Sequence, residues 1–185
     1  MPTPLNPGRL TVEEYLRLPD DDGTRRELVD GNLLVTPSPV YSHSMIQFRL
    51  AQLLAAAAPE SLLAAATGFG IRVGDASVFE PDVLVFRADT DGRVDQYIDS
   101  SDVLLAVEVL SPSNPGNDRV IKLNKYAEGG IPSYWIIDGK ARRLTVHELI
   151  GDRRVYTQVA QVDAGTTYAT DRPFPVRLDP AVFCR

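Results

Sequence analysis

The sequence is poor in the residues that build disulfide frameworks and structural metal sites. Cys184 is the only cysteine in 185 residues and there are two histidines, His43 and His147. No disulfide can form within the chain, and a structural zinc site, which takes four Cys/His ligands, has too few candidates. A lone cysteine is the usage of a reducing compartment, so a cytoplasmic location is expected. Long apolar runs are also missing. The longest candidate, Leu50 to Ala66, is broken by Gln52, Pro59, Glu60 and Ser61, which excludes a spanning helix and any expected membrane role. The first residues, Met1-Pro2-Thr3-Pro4, lack the charged and apolar segments of a signal peptide. A basic excess is absent too. The net charge of −6 argues against broad non-specific binding to nucleic acid, while leaving room for a local basic groove. No repeat is present. An apolar share of 44% is enough for a globular core, and the length suits one domain over residues 1–185.

The chain supplies clear local signals. Thr11-Val12-Glu13-Glu14 reads as a capping box opening a short helix that ends before Pro19. Asp20-Asp21-Asp22-Gly23 is an acidic turn whose spacing fits no EF-hand. Asp30-Gly31 between two strand-like runs predicts a hairpin. A helix is expected from His43 to Ala58, with Ser42 as its N-cap and Pro59 as its stop. Leu62 to Ala66, Phe69 to Val73 and Val78 to Phe86 read as strands, the last interrupted at Glu80-Pro81-Asp82. Ala88 to Ser101 is polar and reads as a loop. After Lys140 come short alternating strands, Arg143 to Leu149, Arg153 to Gln161 and Phe174 to Leu178, expected to extend the same sheet. Trp135 is a core residue by its setting, and His147 a surface one.

The informative stretch runs from Leu104 to Asp138. Leu104-Leu105-Ala106-Val107-Glu108-Val109-Leu110 holds one carboxylate among six apolar residues, the pattern of a strand buried on both faces. A charge there is costly unless it is paired or holds a cation. A Ser/Pro/Asn loop, a helix from Asp118 to Glu128 ended by Gly129-Gly130, and the strand Tyr134 to Asp138 follow. The carboxylate thus sits at the carboxyl end of a strand in a strand–helix–strand unit, where sites of open α/β sheets are found.

Pro81-Asp82, then Glu108-Val109-Leu110, then a helical lysine form an order that resembles the PD-(D/E)xK nuclease superfamily. More closely, the chain resembles a bacterial group of restriction-endonuclease-like proteins. The resemblance rests on Glu27-Leu28-Val29-Asp30-Gly31, His43, Glu80-Pro81-Asp82-Val83, Val107 to Ser113, Asp118 with Lys122 and Tyr126, and Gly130 to Asp138. It implies a mixed α/β fold with a restriction-endonuclease-like core, a mixed β-sheet flanked by helices with added antiparallel strands. It also implies hydrolysis of nucleic-acid phosphodiesters, with DNA the expected substrate.

Elementary chemistry agrees with that reading. Asp82 and Glu108, at the ends of neighbouring strands, could share Mg²⁺ or Mn²⁺, with the Val109 carbonyl as a further oxygen ligand. Such an ion polarises the phosphodiester and lowers the pKa of a bound water. A lysine would orient that water or stabilise charge developing on phosphorus. The motif places its lysine two residues after Glu108, where this chain has Leu110. Lys122 on the following helix matches the group's pattern instead, and Lys125 is the reserve. Acting on the transition state alone, Lys122 would be dispensable for folding. Glu27 is either a further acidic group at the metal or a partner of Arg25 or Arg26. His43 either touches a phosphate or satisfies a backbone group.

Two functions of different class follow. One is a Mg²⁺-dependent endonuclease, for which a homodimer would suit cleavage of both duplex strands. The other is an inactive oligomeric binding or scaffold module retaining the fold, favoured by Leu110 and the acidic balance. A Ser–His hydrolase is a remote third, since no nucleophile elbow surrounds Ser42 or Ser44.

Overall fold

The structure is a computed structural model that describes residues 8–19, 25–36, 39–66, 68–90, 97–110 and 116–185. The expected acidic turn at Asp20 to Gly23 and the Ser111 to Pro115 loop lie outside the described residues.

The N-terminal elements follow their local signals. Helix α1 (Val12–Leu16) is closed by both halves of the capping box, Glu14 N–H to Thr11 Oγ1 and Thr11 N–H to Glu14 Oε2. Strands β1 (Arg25–Val29) and β2 (Asn32–Thr36) pair across Asp30 and Gly31, both at positive φ (48° and 80°). That is the type I′ turn an Asp-Gly pair favours, because its twist matches that of the strands. Helix α2 (Tyr41–Ala57) starts earlier than expected. Val40 is its N-cap without a side-chain bond, and Ser42 lies within the first turn. Tyr41 and Ser42 are exposed, so water can satisfy the first amides and no side-chain cap is required.

Strands β3 (Leu62–Ala66), β4 (Ile71–Val73), β5 (Ser77–Phe79), β6 (Val83–Arg87), β7 (Ile98–Asp99) and β8 (Val103–Val109) follow. The run expected as one strand, Val78 to Phe86, is therefore two, and they belong to different sheets. Pro81 has no N–H for a ladder, and the chain uses Glu80-Pro81-Asp82 to cross from one sheet to the other. Strand β7 was not expected: two residues carry no readable period.

Helix α3 (Gly116–Glu128) leads to β9 (Ser133–Asp138), β10 (Arg143–Leu149), β11 (Tyr156–Asp163), β12 (Tyr168–Thr170), β13 (Val176–Leu178) and a short α4 (Pro180–Phe183). The central sheet has the order β11-β10-β9-β8-β6-β3, and a smaller sheet has the order β2-β1-β5-β4-β7. Strands β8 and β9 are parallel and β6 and β8 antiparallel, so the sheet is mixed, with the three expected strands adjacent. Strands β12 and β13 form a separate two-stranded ribbon and do not extend the central sheet as expected.

Alternation along the central strands sorts the core into two layers. Leu105, Val107 and Val109 face α2, together with Trp135, Ile137, Leu144 and Val146. Ala106, Leu84, Tyr134 and Ile136 face the other way, toward α3 and the smaller sheet. Each fully buried Leu, Ile or Val contributes about 1.5–3 kcal/mol. Trp135 is core, as expected. His147 is not on the surface: it is buried beside Tyr134 and Tyr156, because β10 is an interior strand and an aromatic cluster covers that face.

Helix α3 ends in a Schellman motif. Ile131 N–H donates to the Tyr126 carbonyl (3.1 Å) and Gly130 N–H to that of Ala127 (3.0 Å), with Gly130 at φ 77°. Ile131 and Tyr126 are both fully buried, which fixes the last turn of α3 against the sheet. Gly130→Ala is expected to cost about 1–2 kcal/mol for the left-handed backbone alone. The new Cβ would also meet the Arg154 guanidinium, an exposed and flexible group that can move aside, so the backbone sets the cost. A urea-denaturation midpoint within error of wild type would contradict this.

Candidate active site

The same alternation places Glu108 on the α3 side of β8. Strand β6 pairs with β8 as Val83 with Val107, and one further step in that register sets Asp82 across from Glu108. The backbone joins them: Asp82 N–H donates to the Val107 carbonyl (3.0 Å), and Val109 N–H to Asp82 Oδ2 (2.6 Å). Asp82 ends the crossover between the sheets, so the cluster forms where the two sheets meet.

Three other elements reach this junction. From α3, one turn apart, Lys122 Nζ lies 3.1 Å and Tyr126 Oη 2.8 Å from Glu108 Oε1. From β1, two residues apart on one face, come Arg25 and Glu27. Arg25 donates to Asp82 Oδ1 (2.9 Å) and to the Glu80 carbonyl, with Glu80 Oε2 3.4 Å from its Nε. Glu27 Oε1 accepts from Lys122 Nζ (2.9 Å) and from Glu80 N–H (3.0 Å). From α2, at i and i+4, come His43 and Gln47. Gln47 Nε2 donates to Asp82 Oδ1 (2.6 Å). His43 Nε2 lies 3.1 Å from Asp82 Oδ2 but is not aligned for a hydrogen bond.

The structure thus brings Asp82, Glu108, Lys122, Glu27 and His43 together. Lys125 lies elsewhere: its ammonium pairs with Asp30 (2.6 Å) and Glu128 (3.1 Å) near the surface, because three residues along α3 turns it to the rim. Glu27 pairs with Lys122. The side chain of Asp118 is outside the described residues; Lys122 bridges Glu27 and Glu108. Sequence reasoning gave no role to Gln47, named Tyr126 only among the residues that carry the resemblance, and offered Arg25 only as a partner for Glu27. A signal existed for Gln47, a polar residue next to Ile46 and three before Leu50 on the apolar face of α2, where burial requires a partner. None existed for Arg25, whose neighbour Arg26 reads identically.

Glu27, Asp82, Lys122 and Glu108 are all buried. Among the described residues Glu27, Asp82 and Glu108 face the cations Arg25 and Lys122, with Glu80 at the edge beside Arg25. Burial pushes the Glu108 carboxyl up to about 8, against the pull of Lys122 and with Asp82 and Glu27 adding repulsion. Asp82 behaves oppositely. Burial alone would raise it, but the His43 contact, Arg25 and the Val109 amide hold it down to about 2.

These opposite shifts predict a two-sided pH dependence. The Asp82 contribution is complete above about pH 4 and is lost as pH falls through about 2. Glu108 stays protonated in the folded state while the unfolded chain ionises it near pH 4.5, so stability falls as pH rises from about 4.5 to about 8. Glu108→Gln should remove the alkaline decline and leave the acid limb. Urea midpoints between about pH 3 and 9 test this; an unchanged alkaline slope in Glu108→Gln would contradict it.

The donor set suits a hard divalent cation, because carboxylate oxygens carry excess negative charge in a buried setting. Among the described residues no three His, Cys, Asp or Glu side chains form a ready-made ligand cage. That is compatible with Mg²⁺, which uses one or two carboxylates and keeps several waters. Among the described residues no helix is long and apolar enough to cross a membrane.

Comparison with known proteins adds the family. No functionally curated protein matches the chain. A crystal structure from Anabaena variabilis ATCC 29413, described as a "putative nuclease", superposes with a TM-score of 0.74 over 95% of this chain and 97% of that one. At 18% identity the likeness shows the fold, a mixed α/β architecture. The family model described as "Putative restriction endonuclease" matches residues 12–181, from α1 to α4 and so across every element that builds the site. By that match the chain belongs to the Uma2 family of restriction-endonuclease-like proteins.

Proposed function

We propose that this protein is a divalent-cation-dependent nuclease that hydrolyses phosphodiester bonds, with DNA as its substrate. The observation that carries the reading is the opposed pair Asp82 and Glu108 with a buried lysine, Lys122, 3.1 Å from Glu108. A lysine buried among carboxylates at the carboxyl end of a parallel strand is a costly arrangement for a fold that needs only to stand. Asp82 and Glu108, with the Val109 carbonyl, would hold Mg²⁺ or Mn²⁺, which supplies Lewis acidity toward a phosphodiester. Lys122 donates to the charge developing on the phosphoryl oxygens or orients the attacking water. Tyr126 fixes the Glu108 carboxyl group, and Glu27 fixes the Lys122 ammonium beside it.

Metal binding is the first test. Mn²⁺ at about a hundred times its Kd should stabilise the fold by about 2.7 kcal/mol, a rise of several degrees in Tm for a chain of this size. The rise should vanish in Glu108→Ala and shrink in Asp82→Asn. Equal calorimetric binding by wild type and Glu108→Ala would rule the site out. Wild type should then cut at least one of single-stranded, duplex or branched DNA with Mn²⁺ present.

One observation favours an inactive scaffold: protein donors already engage both Asp82 oxygens, and Leu110 stands at the motif lysine. Absence of any Mn²⁺ binding would select that reading.

A further inference from the structure

Asp82 accepts three hydrogen bonds from its own protein, and His43 Nε2 crowds the remaining direction without bonding to it. A carboxylate offers about four lone-pair directions. Oδ1 accepts from Arg25 and Gln47, Oδ2 accepts from the Val109 amide, and His43 Nε2 stands 3.1 Å from Oδ2. A divalent cation can reach Asp82 only if one of these neighbours yields. The Val109 amide is fixed by the β8 backbone, and Gln47 is buried in the face of α2. Neither carries a charge that a metal would repel. Arg25 differs on both counts. Among the described residues it is the one Arg or Lys paired with Asp82, and its side chain is 18% exposed against 5% for Lys122. It also has a second anchor, Glu80, whose carboxylate lies 3.4 Å away and can keep hold of it.

We infer that Arg25 is an internal counter-cation that competes with the divalent metal for Asp82 and must swing off Oδ1 for the metal to bind. This rests on the metal reading of Asp82 and Glu108. The consequence is a site that loads metal at the expense of an internal ion pair. The guanidinium displaced toward Glu80 and solvent has the donor fork that matches a phosphodiester. The exchange would therefore turn a structural ion pair into a substrate contact.

Two variants separate occupancy from simple repulsion. Arg25→Gln removes the charge, and Mn²⁺ affinity, read by the free-Mn²⁺ electron paramagnetic resonance signal, should rise at least about tenfold. Arg25→Lys keeps the charge but loses the fork that reaches Asp82 and Glu80 together, so affinity should still rise by a few fold. If Arg25 acted only through space, Arg25→Lys would bind like wild type, and that result overturns the inference. A second readout needs no variant to stay folded. In wild type, the Arg25 Nη1 resonance, from the nitrogen that donates to Asp82 Oδ1, should lose its buried ion-pair signature as Mg²⁺ is added, the assignment coming from correlation along the Arg25 side chain to its own backbone. A resonance unmoved at saturating Mg²⁺ also overturns it. If neither wild type nor either variant binds Mn²⁺, the metal reading falls and takes this inference with it. If wild type binds and both variants match it, only the role of Arg25 falls.

Discussion

Lys122→Ala is expected to reduce Mn²⁺-dependent cleavage by a factor of about 10²–10³ or more, the usual effect of removing a donor aimed at transition-state charge. It is also expected to cost the fold, contrary to what a purely catalytic lysine implies. The ammonium is the shared partner of Glu27 and Glu108, and all three groups are buried. Removing it leaves two carboxyl groups in a dry site without their cation, a change worth about 3–5 kcal/mol. The two effects can be separated. Glu27→Gln in the Lys122→Ala background should recover part of the stability and none of the cleavage, since it removes buried charge without restoring a donor. Lys122→Arg should rescue cleavage poorly, because a planar fork cannot take the place of a compact ammonium between two fixed oxygens. Lys125→Ala, at the rim with Asp30 and Glu128, should stay within about 0.5 kcal/mol and cut normally. Cleavage normalised to the folded fraction is the measurement. If Lys122→Ala cuts at the wild-type rate, Lys122 has no part in the chemistry.

Asp82→Ala carries the second large effect. It strips the acceptor from Arg25, Gln47 and the Val109 amide at once, and it empties the corner where the two sheets meet. Loss of one partner from a buried charge pair costs about 3–5 kcal/mol, and the orphaned amide donors add to it. Asp82→Asn should be milder, because its carbonyl oxygen can still accept one or two of those bonds. Both should lose metal-stimulated stabilisation. The order Asp82→Ala, then Asp82→Asn, then wild type in urea midpoint checks the structural part. An Asp82→Ala variant as stable as wild type would mean that the junction is held together by something other than this carboxylate.

Local signals in the sequence determined the elements they act on directly. Thr11 with Glu14, Asp30-Gly31 and Gly129-Gly130 each specify a backbone conformation within a few residues, and the structure has all three. The run around Glu108 had to be a doubly buried strand, since only such a strand makes six of seven apolar residues useful. A buried carboxylate there required a partner, and the motifs along the chain pointed to a restriction-endonuclease-like family, which the match over residues 12–181 bears out.

Tertiary structure alone decided the rest. Whether Lys122 or Lys125 enters the cluster depends on how α3 is rotated about its axis, and that is set by Tyr126 and Ile131 packing against the sheet. That Glu27 would meet Lys122 depends on the smaller sheet meeting the central one at Glu80 to Asp82, a crossover that periodicity along the chain does not encode. Burial of His147 likewise depends on which strands flank β10. The physical reason is common to all three. Backbone preferences act over a few residues, while side-chain pairing across the junction is fixed by which faces the whole core must cover.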